Sequence, residues 1–237
     1  MDTFDASTAS ETQTSAASDL TRHPLDPLGA GEIEQVVSIL RTSGFLPPTA
    51  RFVSIALREP VKAAVLGHET GRPLDRQAEV IVLDRASGTT YEGLVSLTRR
   101  EVYSWRDVPG VQPAITGEEF FDCERIVKAD PGFQETARKR GITDMDLVLV
   151  DPWSAGFYGD DSERGRRLVR ALAWVRTSPG GNAYAHPVEN VAIIVDLNAQ
   201  EVVRVEDYGV VPVPETPGEY AADLTGPKRD DLRPIEI

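Results

Sequence analysis

The chain has 237 residues, of which 41% are hydrophobic, and its 38 acidic and 25 basic side chains give a formal net charge of −13. This length suits two domains of about 100 residues each, the commonest domain size. The acidic balance opposes binding to a nucleic-acid backbone, whose phosphates require clustered cations. No apolar run approaches the roughly 18 residues of a membrane span. We therefore expect neither a nucleic acid nor a membrane as a partner.

The cysteine content and the first residues bear on location. A single cysteine, Cys123, excludes a disulfide framework within the chain, so nothing indicates an oxidising compartment. Residues 1–22 are rich in Ser, Thr, Ala and acidic residues, and they lack the basic start and apolar stretch of a secretory signal. We interpret them as a disordered tail and expect a cytoplasmic location.

Residues 23–112 show the pattern of a first α+β domain. A helical pattern behind Pro27 ends at Gly44, a typical helix stop. Strand patterns follow at 51–58, 79–83, 91–97 and 101–105. Alternation in the first of these strands places Val53, Ile55 and Leu57 on one face. A helix that covers the apolar face of an antiparallel sheet accounts for this order of elements.

Residues 113–223 repeat this order as a second α+β domain. Thr116 and Glu119 have the spacing of a capping box at the start of a helix. Pro131 should interrupt that helix, and Gly141 should end a second helical piece. Strand patterns follow at 147–150, 167–176, 191–197 and 201–205.

The connections between the strands exclude a doubly wound parallel sheet. Parallel neighbours need crossovers of a dozen or more residues, whereas Ser87-Gly88 and Asn198-Ala199 mark short turns. The remaining residues, 224–237, belong to a proline-rich stretch, which we interpret as an extended arm. Its apolar residues Leu232, Ile235 and Ile237 need a partner, so we expect the arm to lead towards another part of the protein.

Motifs for several kinds of chemistry are absent from the sequence. His23, His68 and His186 are scattered and form no close pair, so no metal-ligand spacing is present and we predict no metal site. No Gly-x-Ser-x-Gly sequence or glycine-rich phosphate loop occurs. We therefore predict no catalytic residues in this chain. His186 fits a hydrogen-bonded structural histidine better than a ligand or a base.

Charged clusters have simpler explanations than catalysis. The acid pairs Glu118-Glu119 and Asp160-Asp161 fit solvated or helix-capping roles. A group of arginines is expected to form a solvated or salt-bridged face. Its members are Arg164, Arg166, Arg167 and Arg170.

Five separated segments form the most specific pattern in the chain. They are Cys123-Glu124-Arg125-Ile126-Val127, Arg140-Gly141-Ile142, Asp151-Pro152-Trp153-Ser154-Ala155-Gly156, Ala183-Tyr184-Ala185-His186-Pro187 and Val202-Val203-Arg204-Val205-Glu206-Asp207. In this order and spacing they resemble the copper amine oxidase family. The resemblance covers roughly residues 23–237 and corresponds to the second and third domains, which precede the catalytic domain in that family.

The resemblance implies a cystatin-like fold for both domains. It also implies a parent enzyme, a homodimer with copper and topaquinone, that oxidises primary amines to aldehydes and releases hydrogen peroxide and ammonia. The family's Asn-Tyr-Asp/Glu and His-x-His sequences do not occur in this chain. We therefore expect a missing carboxyl-terminal catalytic domain as the partner, and no oxidase activity from the 237-residue chain alone.

By resemblance, the third domain contributes the outer wall of the substrate channel. The matching positions are Phe120, Asp151, Pro152, Trp153 and Tyr184. Rigid aromatic surfaces select an amine by its shape, and a carboxylate attracts its ammonium group. Phe120 and Trp153 also fit ordinary core aromatics, and Asp151 before Pro152 also fits a turn. We expect Trp153 and Tyr184 to lie exposed in loops of the second domain.

The sequence leaves two alternatives to an oxidase segment open. The first is a freestanding α+β binding module with an aromatic cleft for a small amine or a protein partner. The second is a truncated gene product without function. Exposed apolar surface discriminates between segment and module, because a segment should leave a large uncovered patch around Trp153 whereas a module should cover it or dimerise through it.

Overall fold

Two four-stranded antiparallel sheets, each accompanied by helices, make up the described part of the chain. The computed structural model describes residues 23–69, 72, 74–215, 218, 227, 230–231 and 233. The chain divides into two compact units between Ala114 and Ile115. The tail predicted at 1–22 and the apolar residues of the predicted arm, Leu232, Ile235 and Ile237, lie outside the described residues.

The first unit begins with a helix that Gly44 ends in the left-handed conformation, at φ 79°, as the sequence predicts. Its elements are α1 (Ala30–Ser43), β1 (Ala50–Leu57), α2 (Lys62–Leu66), β2 (Gln77–Asp84), β3 (Thr90–Ser96) and β4 (Glu101–Val108). The strands pair in chain order. The short helix α2 was not predicted from the sequence.

Helix α1 packs on the inner face of this sheet. The buried core consists of Val36, Ile39, Leu40, Ala78, Val80, Val82, Val95 and Leu97. A bulge between Phe52 and Ser54 shifts the alternation of β1. Phe52 therefore packs with Ile55 against the core, and the predicted face, which included Val53, is wrong at that position.

The second unit starts with two consecutive helices, as predicted. Its elements are α3 (Gly117–Ala129), α4 (Pro131–Arg138), β5 (Val148–Ser154), β6 (Leu168–Val175), β7 (Val191–Asp196) and β8 (Glu201–Asp207). The capping box of Thr116 and Glu119 is present. Asp130 accepts a hydrogen bond from the Phe133 N–H, and Pro131 occupies the first turn of α4, where its missing N–H costs no hydrogen bond.

Alternation along the second sheet decides which residues face α3 and α4. The inward residues include Val148, Val150, Val169, Ala171, Ala173, Ile193 and Val195. Asp151, Trp153 and Arg170 therefore lie on the opposite face. Every pairing between the eight strands of the described residues is antiparallel, so the predicted α+β class is confirmed. None of the helices in the described ranges has the length and apolar character needed to cross a membrane.

Candidate functional site

Strand β5 carries three of the five predicted channel residues. It is an edge strand, because the sheet order is β5-β6-β7-β8. Pro152 is buried, and an edge position tolerates a proline because its missing N–H interrupts no ladder hydrogen bond. The Trp153 side chain lies on the opposite face of the sheet and is 61% exposed. The predicted exposure of Trp153 is confirmed, and this exposure excludes a role as a core aromatic. The predicted position of Trp153 in a loop is wrong, because the residue lies in β5.

Asp151 holds Tyr184 against this strand. The Tyr184 hydroxyl donates to Oδ2 of Asp151 at 2.8 Å, and the Tyr184 ring meets Trp174 edge-on at a centroid distance of 5.2 Å. The hydrogen bond to Asp151 raises the pKa of Tyr184. Asp151 lies within β5, so the turn predicted for it is wrong, although the extended backbone before Pro152 is as expected.

Tyr184 lies in the loop between β6 and β7, as predicted, and is 57% exposed. Its N–H donates to Oδ1 of Asn182 at 3.1 Å, and the Asn182 amide donates to the Gly218 carbonyl at 2.9 Å. These contacts hold the loop so that the Tyr184 ring stays on the outer face of the sheet.

Phe120 lies near the beginning of α3, apart from the Asp151 and Tyr184 pair. The buried residues of α3 are Glu119, Cys123, Ile126 and Val127. Phe120 is 40% exposed, so it is not an ordinary core aromatic. The structure therefore brings Asp151 and Tyr184 into direct contact, places Trp153 on the same face as Asp151, and leaves Phe120 on the neighbouring helix.

More aromatic surface follows directly after β5. Tyr158 is largely exposed to solvent, and Phe157 is half-exposed. The Arg164 guanidinium lies 4.4 Å above the Phe157 ring, a cation–π contact. Large exposed rings such as these are candidates for contact with a ligand or another protein segment.

One member of the arginine cluster, Arg167, forms its salt bridge inside the protein and not at the surface. Arg167 and Glu119 form a bidentate ion pair in which the two side chains are 3% and 5% exposed. Arg166 is partly exposed and binds the buried carboxylate of Asp196 at 2.8 Å. The predicted salt bridge is therefore present at Arg167, and only the solvated alternative is wrong there. A fork-shaped guanidinium paired with a carboxylate satisfies both groups inside the protein.

Sequence reasoning missed two residues of this site. Trp174 supports Tyr184, and its outward position could have been inferred from the alternation of Val169, Ala171 and Ala173. Glu124 accepts a hydrogen bond from the main-chain N–H of Val150 at 3.1 Å. No local sequence pattern predicts this contact, because the two residues are 26 positions apart. His186 is fully buried, which agrees with a structural role, and its main-chain N–H donates to the Ala183 carbonyl.

Metal binding is not supported by the described side chains. Among residues with a described position, no three His, Cys, Asp or Glu side chains come together as a metal-binding group. Cys123 is fully buried in the core of the second unit, and burial raises its pKa to about 12, so its thiol is a poor metal ligand and nucleophile.

Comparison with protein families assigns both units. Residues 118–222 match the family described as "Copper amine oxidase, N3 domain", and residues 29–105 match the "AGAO-like N2 domain". The chain is 41% identical over 216 residues to the primary amine oxidase of Arthrobacter sp. (strain P1), covering 91% of this chain and 33% of that protein. It is 33% identical over 275 residues to the copper-containing diamine oxidase 1, peroxisomal, of Nicotiana tabacum, covering 97% of this chain and 35% of that protein.

A solved structure shows the same fold. The copper-containing benzylamine oxidase from Hansenula polymorpha is similar with a TM-score of 0.71 and 21% identity, over 91% of this chain and 36% of that chain. The chain thus spans about a third of the length of the curated relatives it matches. Both family matches and the agreement in fold lead to one conclusion: the chain belongs to the copper amine oxidase family and carries its N2 and N3 domains.

Proposed function

We propose that this chain is the non-catalytic N2 and N3 portion of a primary-amine oxidase, and that its surface around Trp153 and Tyr184 forms part of the wall along which the amine approaches. The family depends on copper and topaquinone, and the described residues offer no donor group that fits copper. We therefore assign no catalytic step to this chain. Oxidation of the amine to an aldehyde, with release of ammonia and hydrogen peroxide, would belong to a separate carboxyl-terminal catalytic portion.

The exposed indole of Trp153 carries this proposal. A large apolar side chain that is 61% exposed on an edge strand gains little from the fold of its own domain. It lies on the same face as Asp151, whose carboxylate holds the exposed Tyr184 ring. A rigid aromatic surface with a nearby carboxylate suits an alkyl or aryl ammonium ion.

Selection by this wall would act on entry and binding. The five wall positions proposed from the resemblance are Phe120, Asp151, Trp153, Tyr184 and Pro152, of which Pro152 is buried between Asp151 and Trp153 in β5. None of them needs to touch the reacting atoms, because a passage discriminates by the shape of what passes through it. The expected signature is a change in the preference between amines without a change in the oxidation step.

A chimera tests this role. This chain would replace the matching segment of the primary amine oxidase of Arthrobacter sp. (strain P1), which is 41% identical to it. We expect Trp153→Ala to change the ratio of kcat/KM between a bulky aryl amine and methylamine, with kcat for methylamine retained. Phe121→Ala is the matched control, since Phe121 is 79% exposed on α3 but is not a wall position. Equal ratios for the parent chimera and Trp153→Ala would contradict the proposal.

The isolated 237-residue chain provides the complementary test. We expect it to bind no stoichiometric copper and to release no peroxide from primary amines. Metal analysis and a coupled peroxide assay measure the two properties. Tight copper binding with amine-dependent peroxide release would overturn the non-catalytic assignment.

The oligomeric state of the parent enzyme and the cellular location of this chain are further parts of the proposed function. We expect the parent enzyme to be a homodimer. We also expect this chain to contact the catalytic portion through the surface around Trp153 and Tyr184. A freestanding binding module would instead cover that surface by self-association, which sedimentation of the purified chain would reveal. A cytoplasmic location remains a prediction from the single cysteine, which is buried as a free thiol.

A further inference from the structure

The outer edge of β5 offers no free N–H group at three successive outward positions, Val148, Val150 and Pro152. An edge strand normally presents unpaired N–H groups that can pair with another chain. Here the Val148 N–H donates to the Met145 carbonyl, and the Val150 N–H donates to Oε2 of Glu124 at 3.1 Å. Pro152 has no N–H. Among these three positions, Val150 is the one that depends on a side chain from another element.

A second contact holds the Glu124 carboxylate in position to accept the Val150 N–H. Its second oxygen, Oε1, accepts from Nζ of Lys128 at 2.7 Å, one helical turn further along α3. The Glu124 side chain is 28% exposed, so water competes only weakly for it. A hydrogen bond from a backbone N–H to an ionised carboxylate is stronger than one between neutral groups. Glu124 therefore links α3 directly to the main chain of β5.

A second carboxylate of α3, Glu119, binds the sheet near the end of β5. Glu119 binds Arg167, which immediately precedes β6, and β6 pairs with the end of β5 through Val169 and Ser154. Because Glu119 precedes Glu124 while Ser154 follows Val150, α3 and β5 run in opposite directions. The helix is thus attached to the sheet at two points.

Phe120 lies between these two attachments. It precedes Glu124 by one helical turn, a rise of about 6 Å. Two residues of β5 span about 6.8 Å, the distance from Val150 to Pro152. Starting from the contact between Glu124 and Val150, Phe120 along α3 and Pro152 along β5 therefore lie in the same direction. The placement of Phe120 relative to the β5 residues that follow Val150 depends on the contact that Glu124 makes.

We infer that Glu124 is a positioning residue for substrate selection. Its hydrogen bond to the Val150 N–H sets the spacing between α3 and β5, and through it the placement of Phe120 relative to Trp153. The inference rests on the proposed function of this surface as a channel wall. Glu124 itself need not touch the amine.

The contact is tested first in the isolated chain, by NMR measurement of hydrogen exchange at the Val150 amide. Glu124→Ala removes the acceptor, and we expect exchange to accelerate by about tenfold or more. Glu124→Gln keeps an acceptor oxygen and should restore most of the protection. Lys128→Met is the matched control: it removes the ion pair with Glu124 but leaves the acceptor of Val150 in place. Unchanged exchange in Glu124→Ala would overturn the inference.

The role in selection is tested in the chimera with the Arthrobacter oxidase. We expect Glu124→Ala to shift the preference between bulky and small amines in the same direction as Trp153→Ala. Glu124→Gln should restore the preference, and Lys128→Met should leave it unchanged. A purely structural role would lower the activity towards all amines equally, so the ratio of kcat/KM values is the decisive readout.

The outcomes separate the two proposals. If Trp153→Ala changes the amine preference but Glu124→Ala does not, Glu124 is not a positioning residue while the channel wall stands. If neither variant changes it, the channel role fails and the inference falls with it, even where amide exchange shows the Glu124 contact. If Lys128→Met matches Glu124→Ala, the ion pair and not the strand contact is responsible, and the inference is wrong.

Discussion

Glu119 and Arg167 form a buried bidentate ion pair between α3 and the residue before β6. Nε and Nη2 of Arg167 donate to the two carboxylate oxygens of Glu119, at 2.6 and 2.7 Å. Burial alone would raise the pKa of Glu119, but the hydrogen bonds and charge of Arg167 hold the pKa below its ordinary value. Glu119 also accepts the Thr116 N–H, so a single carboxylate caps α3 and attaches it to the sheet.

Removing one partner of this pair should be costly. We expect Arg167→Ala to lower the free energy of unfolding by about 3–5 kcal/mol, because it leaves the Glu119 carboxylate buried without its counter-ion. Arg164→Ala is the control: that side chain is 66% exposed and its partner Asp161 is 85% exposed, so its loss should change little. Urea unfolding of both variants measures the difference. Similar midpoints for the two would contradict this account.

The Tyr184 to Asp151 hydrogen bond predicts a titration effect. Asp151→Asn removes the negative acceptor, so the pKa of Tyr184 should fall towards its ordinary value of 10.0. Because the folded-state pKa is raised, the contribution of the bond to stability is fully present below pH 10.0 and is lost as the pH rises through the folded-state pKa. NMR titration of labelled tyrosine rings measures the shift.

A second tyrosine provides the control for that titration. The pKa of Tyr208 is raised by its own hydrogen bond to Glu206, so Asp151→Asn should leave Tyr208 unchanged. Tyr184→Phe assigns the signal by removing it. An unshifted Tyr184 midpoint in Asp151→Asn would show that the hydrogen bond does not form in solution.

Gly93 makes room for an aromatic stack in the first unit. A Cβ at this position would lie 2.7 Å from Cε3 of Trp105, closer than two carbon atoms can approach. Trp105 stacks on Tyr91 and Phe45, at centroid distances of 5.5 and 6.1 Å. We expect Gly93→Ala to displace the indole, shift its fluorescence and destabilise the unit by about 1–3 kcal/mol.

Two further variants isolate the steric cause of that effect. Gly117→Ala should be tolerated, since no atom lies within 4 Å of the added Cβ. In a Trp105→Leu background, Gly93→Ala should cost less, because the smaller side chain leaves space. An equal cost in both backgrounds would rule out the ring contact as the cause.

Trp153 should contribute little to stability. Because it is 61% exposed, we expect Trp153→Ala to change the free energy of unfolding by less than about 1 kcal/mol. Phe133→Ala is the contrasting variant: Phe133 is fully buried, and its truncation should cost about 3–5 kcal/mol. Thermal unfolding of both variants measures the contrast. Severe destabilisation by Trp153→Ala would favour a structural role for this residue.

Local sequence signals determined where most elements begin and end. Gly44 ends α1, Thr116 with Glu119 starts α3, and Pro131 separates α3 from α4. These signals act within one helical turn, so neighbouring residues suffice to recognise them. Period-two alternation likewise assigned the antiparallel strands, except where the bulge after Phe52 moved β1 out of phase.

The sequence by itself also supplied the family resemblance and the residues of the candidate wall. What each of those residues does was decided by the tertiary structure, through contacts between distant positions. Arg167 resembles its exposed neighbour Arg164 in sequence, and only the packing of α3 places Glu119, 48 residues away, against it. Glu124 meets Val150 across 26 residues, and Asp151 meets Tyr184 across 33. Such pairs depend on how helix and sheet come together, because burial and hydrogen-bond geometry are properties of the packed chain and not of any local segment.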